Sequence, residues 1–246
     1  MSWQNALGQP VGRPVEGWQG ATPPVREPMA GHRCRLEPLD ADRHAAGLFG
    51  AYAADREGRL FSYLPYGPFE NVEDYRAWAL AHQAMPDAHF YAIVAAHDGA
   101  PVGVGAFLRI APEAGSIEIG HLCFSPAMRR TAIATEAMFL MMRRVFEDWG
   151  YRRYEWKCHA DNAPSVRAAE RLGFRFEGLF RNSLVVKGRN RDTAWFSITD
   201  DEWPELRRAF AAWLDDANFD AEGDQRERLA HVMPETAGRP IVELRR

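Results

Sequence analysis

The chain has 246 residues, of which 46% are hydrophobic and 26% charged, so it can bury a sizeable core without disulfide or metal staples. Lysine plus arginine total 30 and aspartate plus glutamate total 34, and this net charge of -4 argues against a generally basic, nucleic-acid-binding surface. The three cysteines have no paired spacing, which fits a reducing cytoplasm. No apolar run is long enough for a membrane span or a signal peptide, so we expect a cytoplasmic protein that binds neither nucleic acid nor membrane.

The first half of the chain predicts an irregular arm followed by helices and a hairpin. Five prolines and four glycines fall within residues 1–30, so an extended arm is expected over 1–32. A strand is expected from Arg33, and helices are expected over 41–55 and 71–84, the second with Asn71 as its cap. The Asp98-Gly99 pair predicts a hairpin, and SIEIGHLCF then supplies a third strand.

The second half predicts a long helix, four strands and two further helices. The apolar spacing is clearest over 134–150, and a short helix is expected over 161–174 with Pro164 in its first turn. Strands are expected at YEWKCH, RFEG, SLVVKG and DTAWFSI, and the last helix at 200–216. The chain is therefore divided into the arm 1–32, a domain over 33–199, and a C-terminal helix with a polar tail over 200–246.

A strand, a basic turn and a helix follow one another at LCFSPAMRRTAIA. This order brings several backbone N–H groups and the positive end of a helix to one point, which is suited to an anion. Arg129 and Arg130 add two guanidinium groups that suit phosphate oxygens. Taken alone, the pattern also fits a solvated helix start.

Two motifs stand in order along the chain: Leu122, Phe124 and Pro126 lead into the turn Arg129 to Ala134, and Asn162-Ala163-Pro164-Ser165 is followed by Ala169-Glu170-Arg171-Leu172-Gly173-Phe174. Together these motifs resemble the GNAT superfamily of acyl-CoA N-acyltransferases, and the resemblance covers roughly Arg33 to Thr199. Phe176-Glu177-Gly178, Arg181 and Asp192 extend the likeness, and Thr135-Glu136-Ala137 is similar to the subgroup of ribosomal-protein N-terminal acetyltransferases. The resemblance implies an α/β (α+β) fold, with a mixed, mostly antiparallel sheet of six to seven strands, about four helices, and strands splayed around 118–124 and 154–159. It also implies a set of coenzyme-binding residues: Leu122, Phe124, Arg129, Arg130, Thr131, Ala132, Ile133, Ala134, Thr135, Asn162, Ser165 and Arg171.

Two positions depart from the family pattern. Ala132 replaces the first glycine of the pyrophosphate loop, which leaves open a shifted pyrophosphate, weaker coenzyme affinity, or loss of activity. Ala169 stands where many members carry a tyrosine as general acid. Ser165, one turn earlier on the same helix face, is the substitute that could donate to the departing thiolate, or else it supports the first helical turn. Asn162 has two roles open to it, a hydrogen bond to the pantetheine and an ordinary N-cap.

The reaction implied is attack of a primary amine on the thioester of acetyl-CoA. A backbone N–H near Phe124 is the family's candidate for the oxyanion site. Glu118 is our preferred base and His121 the alternative; they lie three apart on one strand, so both reach the cleft only if the strand has a bulge. The histidines show no metal-ligand spacing, so no metal is expected.

Three hypotheses remain open for the whole chain. The first is an acetyl-CoA-dependent N-acetyltransferase acting on a peptide or small-molecule amine, with Phe61, Tyr63 and Tyr66 either walling the acceptor pocket or packing as a plug. The second is a non-catalytic acyl-CoA-binding module, and the third is an enzyme for longer acyl chains. A homodimer is kept open as an assembly.

Overall fold

A computed structural model describes residues 3–241, so the ends of the expected arm and tail, 1–2 and 242–246, lie outside the described residues. The strands are β1 Trp3–Gln4, β2 Pro10–Val11, β3 Met29–Ala30, β4 Cys34–Pro38, β5 His89–Ala95, β6 Pro101–Ala111, β7 Ser116–Phe124, β8 Arg153–His159, β9 Arg175–Val186 and β10 Arg189–Thr199. The helices are α1 Ala41–Tyr52, α2 Val72–Gln83, α3 Ala132–Arg143, α4 Ala163–Arg171, α5 Trp203–Leu214 and α6 Leu229–Val232.

Eight strands form one central sheet in the order β3-β4-β5-β6-β7-β8-β10-β9. Every neighbouring pair is antiparallel except β7 and β8, which are parallel. The parallel pairing runs only from Ser116 opposite Arg153 to Ile119 opposite Trp156. Beyond those residues the two strands continue but no longer pair with each other, which confirms the expected splay.

Local signals explain where the helices begin. The side chain of Asp40 accepts hydrogen bonds from two amides of α1, and that of Asn71 accepts one from Asp74 in α2, as expected for N-caps. At the start of α4 the side chain of Asn162 accepts from the amide of Ser165. These short polar side chains fix the helix starts without help from distant packing.

The sheet separates two apolar clusters. On one face α3, α4 and α5 pack over Phe107, Ile117 and Tyr154, which are all fully buried. On the other face α1 and α2 cover the β4–β6 half. The remaining half of that face, formed by β7, β8 and β10, carries polar side chains, and this division of the sheet positions the site described below.

The expected strand and helix counts were too low. The central sheet has eight strands because Met29–Ala30 pairs with β4 from within the predicted arm, and two residues are too few to show an alternating pattern. Six helices are present within the described chain instead of about four, with α6 contributing a single turn around buried Leu229. α5 packs against α3, where Phe139 lies beside Trp203 and Phe210.

RFEG and SLVVKG are one strand, β9, and not two. The strand passes through a shift in its register with β10, and Asn182 adopts a positive φ of 49° there. The amide of Asn182 donates to the side chain of Asp192 across the hairpin, which stabilises the irregular residue. A bulge interrupts the alternation of apolar and polar residues, so the sequence pattern predicted RFEG and SLVVKG as separate strands.

Candidate active site

The end of β7 presents an unpaired backbone edge toward the gap between β7 and β8. Ser125 donates its amide to Val102 on β6, so the preceding amide, that of Phe124, points to the opposite, open edge. The carbonyl of Cys123 accepts from the hydroxyl of Tyr52, which fixes this end of the strand to α1. Leu122 and Phe124 are partly buried along the same edge. A backbone N–H near Phe124 is therefore available for hydrogen bonding.

A bulge brings Glu118 and His121 to the same side of β7. His121 has a positive φ of 51°, and the register with β6 shifts between the Val104 and Ala106 pairs. This is the condition under which both candidate bases can reach the cleft. Both side chains face the α1 and α2 side of the sheet, Glu118 among charged groups and His121 among aromatic rings.

The turn after β7 leads into α3 with several amides unoccupied. Thr131 is the N-cap residue, but its hydroxyl donates backward to the carbonyl of Met128 and does not cap the helix. Within residues 3–241, the amides of Ala132, Ile133 and Ala134 have no acceptor, as is usual for the first turn of an uncapped helix. Their N–H groups therefore form a concave donor set at the positive end of a twelve-residue helix.

Ala132 fits the position at which the family has glycine. It is the first residue of α3 and has a helical, negative φ, whereas the positive φ in this turn, 63°, belongs to Arg130. A methyl group at a helical φ adds no backbone strain. The alanine at this position therefore gives no conformational reason to expect a distorted turn between β7 and α3.

Arg129 and Arg130 are exposed beside these amides, and neither forms an ion pair with any residue of the described chain. Arg171 is an exposed residue behind the same helix end, where its Nη1 donates to the hydroxyl of Thr135 at 3.1 Å. The guanidinium of Arg171 also lies 5.6 Å from the ring centroid of Trp213. Arg171 therefore braces α4 against α3, whereas the two turn arginines are free to contact an anion.

Ser165 lies on α4 and faces the end of β8. Its Oγ accepts from the indole Nε1 of Trp156 at 3.0 Å. Because an indole N–H can only donate, the serine proton must point to another acceptor. Burial raises the pKa of the nearby Cys158 thiol to about 11, and Ser165 opposes this rise. The cap of α4 is Asn162, so Ser165 is not needed for that purpose.

Glu118 is buried and contacts two cations through the same oxygen. Its Oε2 accepts from Arg109 at 2.7 Å and from Lys157 at 2.8 Å. The other oxygen, Oε1, has no hydrogen-bond partner within residues 3–241 and lies above Gly120, where a Cβ would be 3.6 Å away. Gly120 directly follows Ile119, the last residue of β7 that pairs with β8, so Oε1 lies close to the beginning of the splay.

His121 is a partly buried ring. It stacks on Tyr66 with 5.5 Å between ring centroids and an angle of 8° between the ring planes. Burial is the largest cause that lowers the pKa of His121, and the nearby charges of His82, Arg109 and Arg191 also lower it. Together these causes bring the pKa to about 4. The stacking holds the aromatic loop against β7. The low pKa makes His121 a weak base at neutral pH.

We expect the ring of His121 to titrate near pH 4 in a labelled sample followed by nuclear magnetic resonance. The ordinary value is 6.5, so between pH 6.5 and 4 the unfolded chain binds a proton that the folded chain does not. Lowering the pH through this range should therefore favour unfolding. A midpoint near 6.5 in the folded protein would contradict the buried, stacked position.

The loop from Phe61 to Phe69 covers the polar half of the sheet. Phe61 is buried and packs edge-on against Tyr52 and Phe69, so it acts as a plug. Tyr63 instead reaches across the cleft, where its hydroxyl donates to the carbonyl of Asp161. Tyr66 stacks on His121. Phe61 therefore packs as a plug, whereas an acceptor-pocket role for Tyr63 and Tyr66 stays a prediction.

Four cations that lie around this loop and the splay were not predicted as site residues from the sequence: Arg109, Lys157, Lys187 and Arg191. Lys187, at the tip of the β9–β10 hairpin, donates to the carbonyls of Phe61, Tyr66 and Gly67 at 2.7 to 3.1 Å. The hairpin tip is thereby tied to the aromatic loop. The composition could have indicated two of these residues, because Lys157 and Lys187 are the only two lysines of the chain.

An open groove of about 630 Å³ continues from this site along the sheet toward the residues that connect α2 and β5. Arg109 and His121 lie at one end of the groove, and Pro24 of the arm lies along it. Within the described residues, no group of three or more histidine, cysteine or acidic side chains is placed to hold a metal ion. In the same residues, no helix combines the length and apolar character that crossing a membrane requires.

Comparison with known proteins identifies the family. Residues 33–175 match the acetyltransferase (GNAT) domain. A GCN5-related N-acetyltransferase from Brucella melitensis is 44% identical, with a TM-score of 0.86 over 89% of this chain and 99% of its own. A probable GNAT-family acetyltransferase from Chromobacterium violaceum ATCC 12472 is 42% identical, with a TM-score of 0.74 over 80% of this chain and 98% of its own.

A sequence relative gives the same class. YnaD of Bacillus subtilis (strain 168), described as an uncharacterized N-acetyltransferase, is 24% identical over 62% of this chain and 87% of its own length. The family match covers more than half of the 246 residues. The chain therefore belongs to the GNAT family of N-acetyltransferases.

Proposed function

We propose that this enzyme transfers an acetyl group from acetyl-CoA to a primary amine by direct attack within a ternary complex. The observation that carries the proposal is the interrupted pairing of β7 and β8 immediately before an uncapped helix flanked by two free arginines. One feature offers backbone hydrogen bonds to an extended amide chain, and the other offers donors to a pyrophosphate. Both lie along one strand-turn-helix segment, as a long coenzyme requires.

The coenzyme would be bound in two parts. The N–H groups of Ala132, Ile133 and Ala134, together with Arg129 and Arg130, would hold the pyrophosphate. The unpaired edge near Leu122 and Phe124 would hold the pantetheine arm and stabilise the oxyanion that forms during attack. The helical φ of Ala132 supports this binding, and it weakens the hypothesis of a module that has lost turnover.

The chemical step needs a neutral amine and a stabilised leaving group. The nitrogen lone pair forms a bond to the carbonyl carbon, the carbon–sulfur bond breaks, and the product is an N-acetyl amide plus coenzyme A. Oε1 of Glu118 would receive the proton of the amine through water, because this oxygen lies close to the start of the splay and has no hydrogen-bond partner in the described chain. Ser165 would donate a hydrogen bond to the departing thiolate, which then takes its proton from solvent.

The direct test is release of free thiol from acetyl-CoA in the presence of a panel of peptide and small-molecule primary amines, with the acetylated product identified by mass spectrometry. We expect release that depends on both substrates and a product bearing one acetyl group per amine. Binding of acetyl-CoA without release across the panel would contradict the proposal. A marked preference for longer acyl-CoA donors would replace the acetyl donor with a longer one.

Replacing Arg129 with alanine should raise the dissociation constant of coenzyme A by about tenfold, because one charge-assisted contact to phosphate is lost. Isothermal titration calorimetry measures this change. The melting temperature should stay unchanged because the side chain is exposed and unpaired. Arg208→Ala, which removes an exposed arginine on α5, is the matched control and should bind normally. Unchanged affinity in Arg129→Ala would remove this residue from the pyrophosphate site.

A further inference from the structure

The polar half of the sheet carries a connected set of ion pairs, here called the polar ladder. Its members alternate in charge, and each side chain bonds to the next: Arg109, Glu118, Lys157, Glu155, Arg153 and Glu177. Lys157 also lies 3.7 Å from the ring centroid of Trp195. The ladder contains three cations and three carboxylates, so its charges balance one another.

Arg191 is a fourth cation beside this ladder. It is half-buried on β10, and its side chain makes one hydrogen bond, from Nε to the hydroxyl of buried Thr193 at 3.3 Å. No carboxylate of residues 3–241 pairs with it. A guanidinium has five N–H donors, so most of those on half-buried Arg191 have no acceptor in the described chain.

The position of Arg191 places it at the mouth of the splay. β10 pairs with β8 up to Thr193 opposite His159, and Arg191 lies just beyond that last pair. Burial lowers the pKa of Arg191, and the charges of Cys158, Glu118 and Arg109 also act on it, as expected for a group near the end of β8 and the ladder. Its charge in turn helps to lower the pKa of His121.

The charge of Arg191 affects which acceptor amines can bind and react near it. Positive charge disfavours the protonated ammonium and favours the neutral amine that attacks. The same charge would repel a cationic substrate unless the substrate brought an anionic group of its own. One unmatched charge balances a monoanion, and a carboxylate fits the planar donor fork of a guanidinium.

We propose that Arg191 binds a carboxylate of the acceptor, so that the enzyme acts on primary amines that carry a carboxylate close to the amino group. This inference rests on the proposed acetyl transfer and adds a substrate class to it. The carboxylate can come from a free amino acid or from an acidic residue at the N-terminus of a peptide. Arg191 then determines specificity, and the polar ladder keeps the surrounding charges paired.

Two pairs of acceptors test the inference and separate its sources. Alanine is compared with alaninamide, and the peptide Asp-Ala-amide is compared with Asn-Ala-amide, by the kcat/KM for thiol release. The wild-type enzyme should prefer the carboxylate in at least one pair by about 10- to 100-fold. A preference in the first pair indicates a free amino acid, and one in the second indicates a peptide N-terminus.

Variants assign the preference to the side chain. Arg191→Gln should lower the ratio within the preferred pair by about 10-fold or more, and comparing this ratio between the two enzymes cancels the different intrinsic reactivity of the amines. Arg191→Lys keeps the charge without the fork and should retain part of the preference. Arg189→Gln removes an exposed arginine two residues away on β10 and should leave the ratio unchanged.

Two results would overturn the assignment: wild-type ratios near one in both pairs, or a preference that survives in Arg191→Gln. Normal turnover of neutral amines would in that case leave the proposed acetyl transfer standing. Absence of thiol release with every acceptor would contradict the proposed function itself and remove this inference with it.

Discussion

Replacing Glu136 with alanine should lower the free energy of unfolding by about 3 kcal/mol or more. The buried carboxylate on α3 accepts from three consecutive backbone amides, those of His32, Arg33 and Cys34, at 2.7 to 3.0 Å. It therefore fastens the turn between β3 and β4 to α3. Removing it leaves three N–H groups without their acceptor in a largely enclosed place.

Chemical denaturation measures this loss, and a fall in melting temperature of about 6 °C or more should accompany it. Glu136→Gln keeps one carbonyl oxygen but turns an amide donor toward an N–H group, so its stability should be intermediate. Glu222→Ala removes an exposed carboxylate and should change stability by no more than about 0.5 kcal/mol. Wild-type stability in Glu136→Ala would show that the three amides find other partners.

Replacing Ser165 with alanine should lower kcat by about 10- to 100-fold while the KM for acetyl-CoA changes little. The hydroxyl is oriented by Trp156, which occupies one lone pair and directs the proton elsewhere. A donor to the leaving thiolate acts mainly in the transition state, so its loss appears in kcat. Steady-state kinetics with one amine at saturation measures the change.

Trp156→Phe provides the matched comparison because it removes the orienting N–H and keeps the serine. Its kcat should fall less than that of Ser165→Ala, and the two effects should not add in the double variant. The fold should tolerate the loss of the hydroxyl because Asn162 supplies the cap of α4. Normal turnover in a folded Ser165→Ala enzyme would exclude the serine from the chemical step.

Much of the fold followed from local sequence patterns. The cap at Asn71, the alternation of YEWKCH and the strand-turn-helix order after β7 each depend on residues close together in the chain. Such short-range signals fix where elements begin and which face they bury. The splay was expected from the family resemblance, and the paired register reproduces it.

The rest of the candidate site depends on contacts between distant segments. The bulge at His121 changes which face Glu118 and His121 share, and no pattern in SIEIGHLCF marks it. Lys187 meets the loop around Phe61 across more than 120 residues of chain. Glu136 was noted only as part of a motif, whereas the structure gives it three backbone partners. Tertiary contacts of this kind leave no periodic trace in a sequence.

A crystal structure with coenzyme A bound is the most direct test of the proposed acetyl transfer. We expect the pyrophosphate on the amides of Ala132, Ile133 and Ala134, the pantetheine arm along the open edge of β7 near Phe124, and the sulfur within hydrogen-bonding distance of Ser165. We also expect the sulfur to lie on the side of the cleft that leads to Glu118. Coenzyme bound elsewhere, or a sulfur turned away from both side chains, would contradict the proposed acetyl transfer.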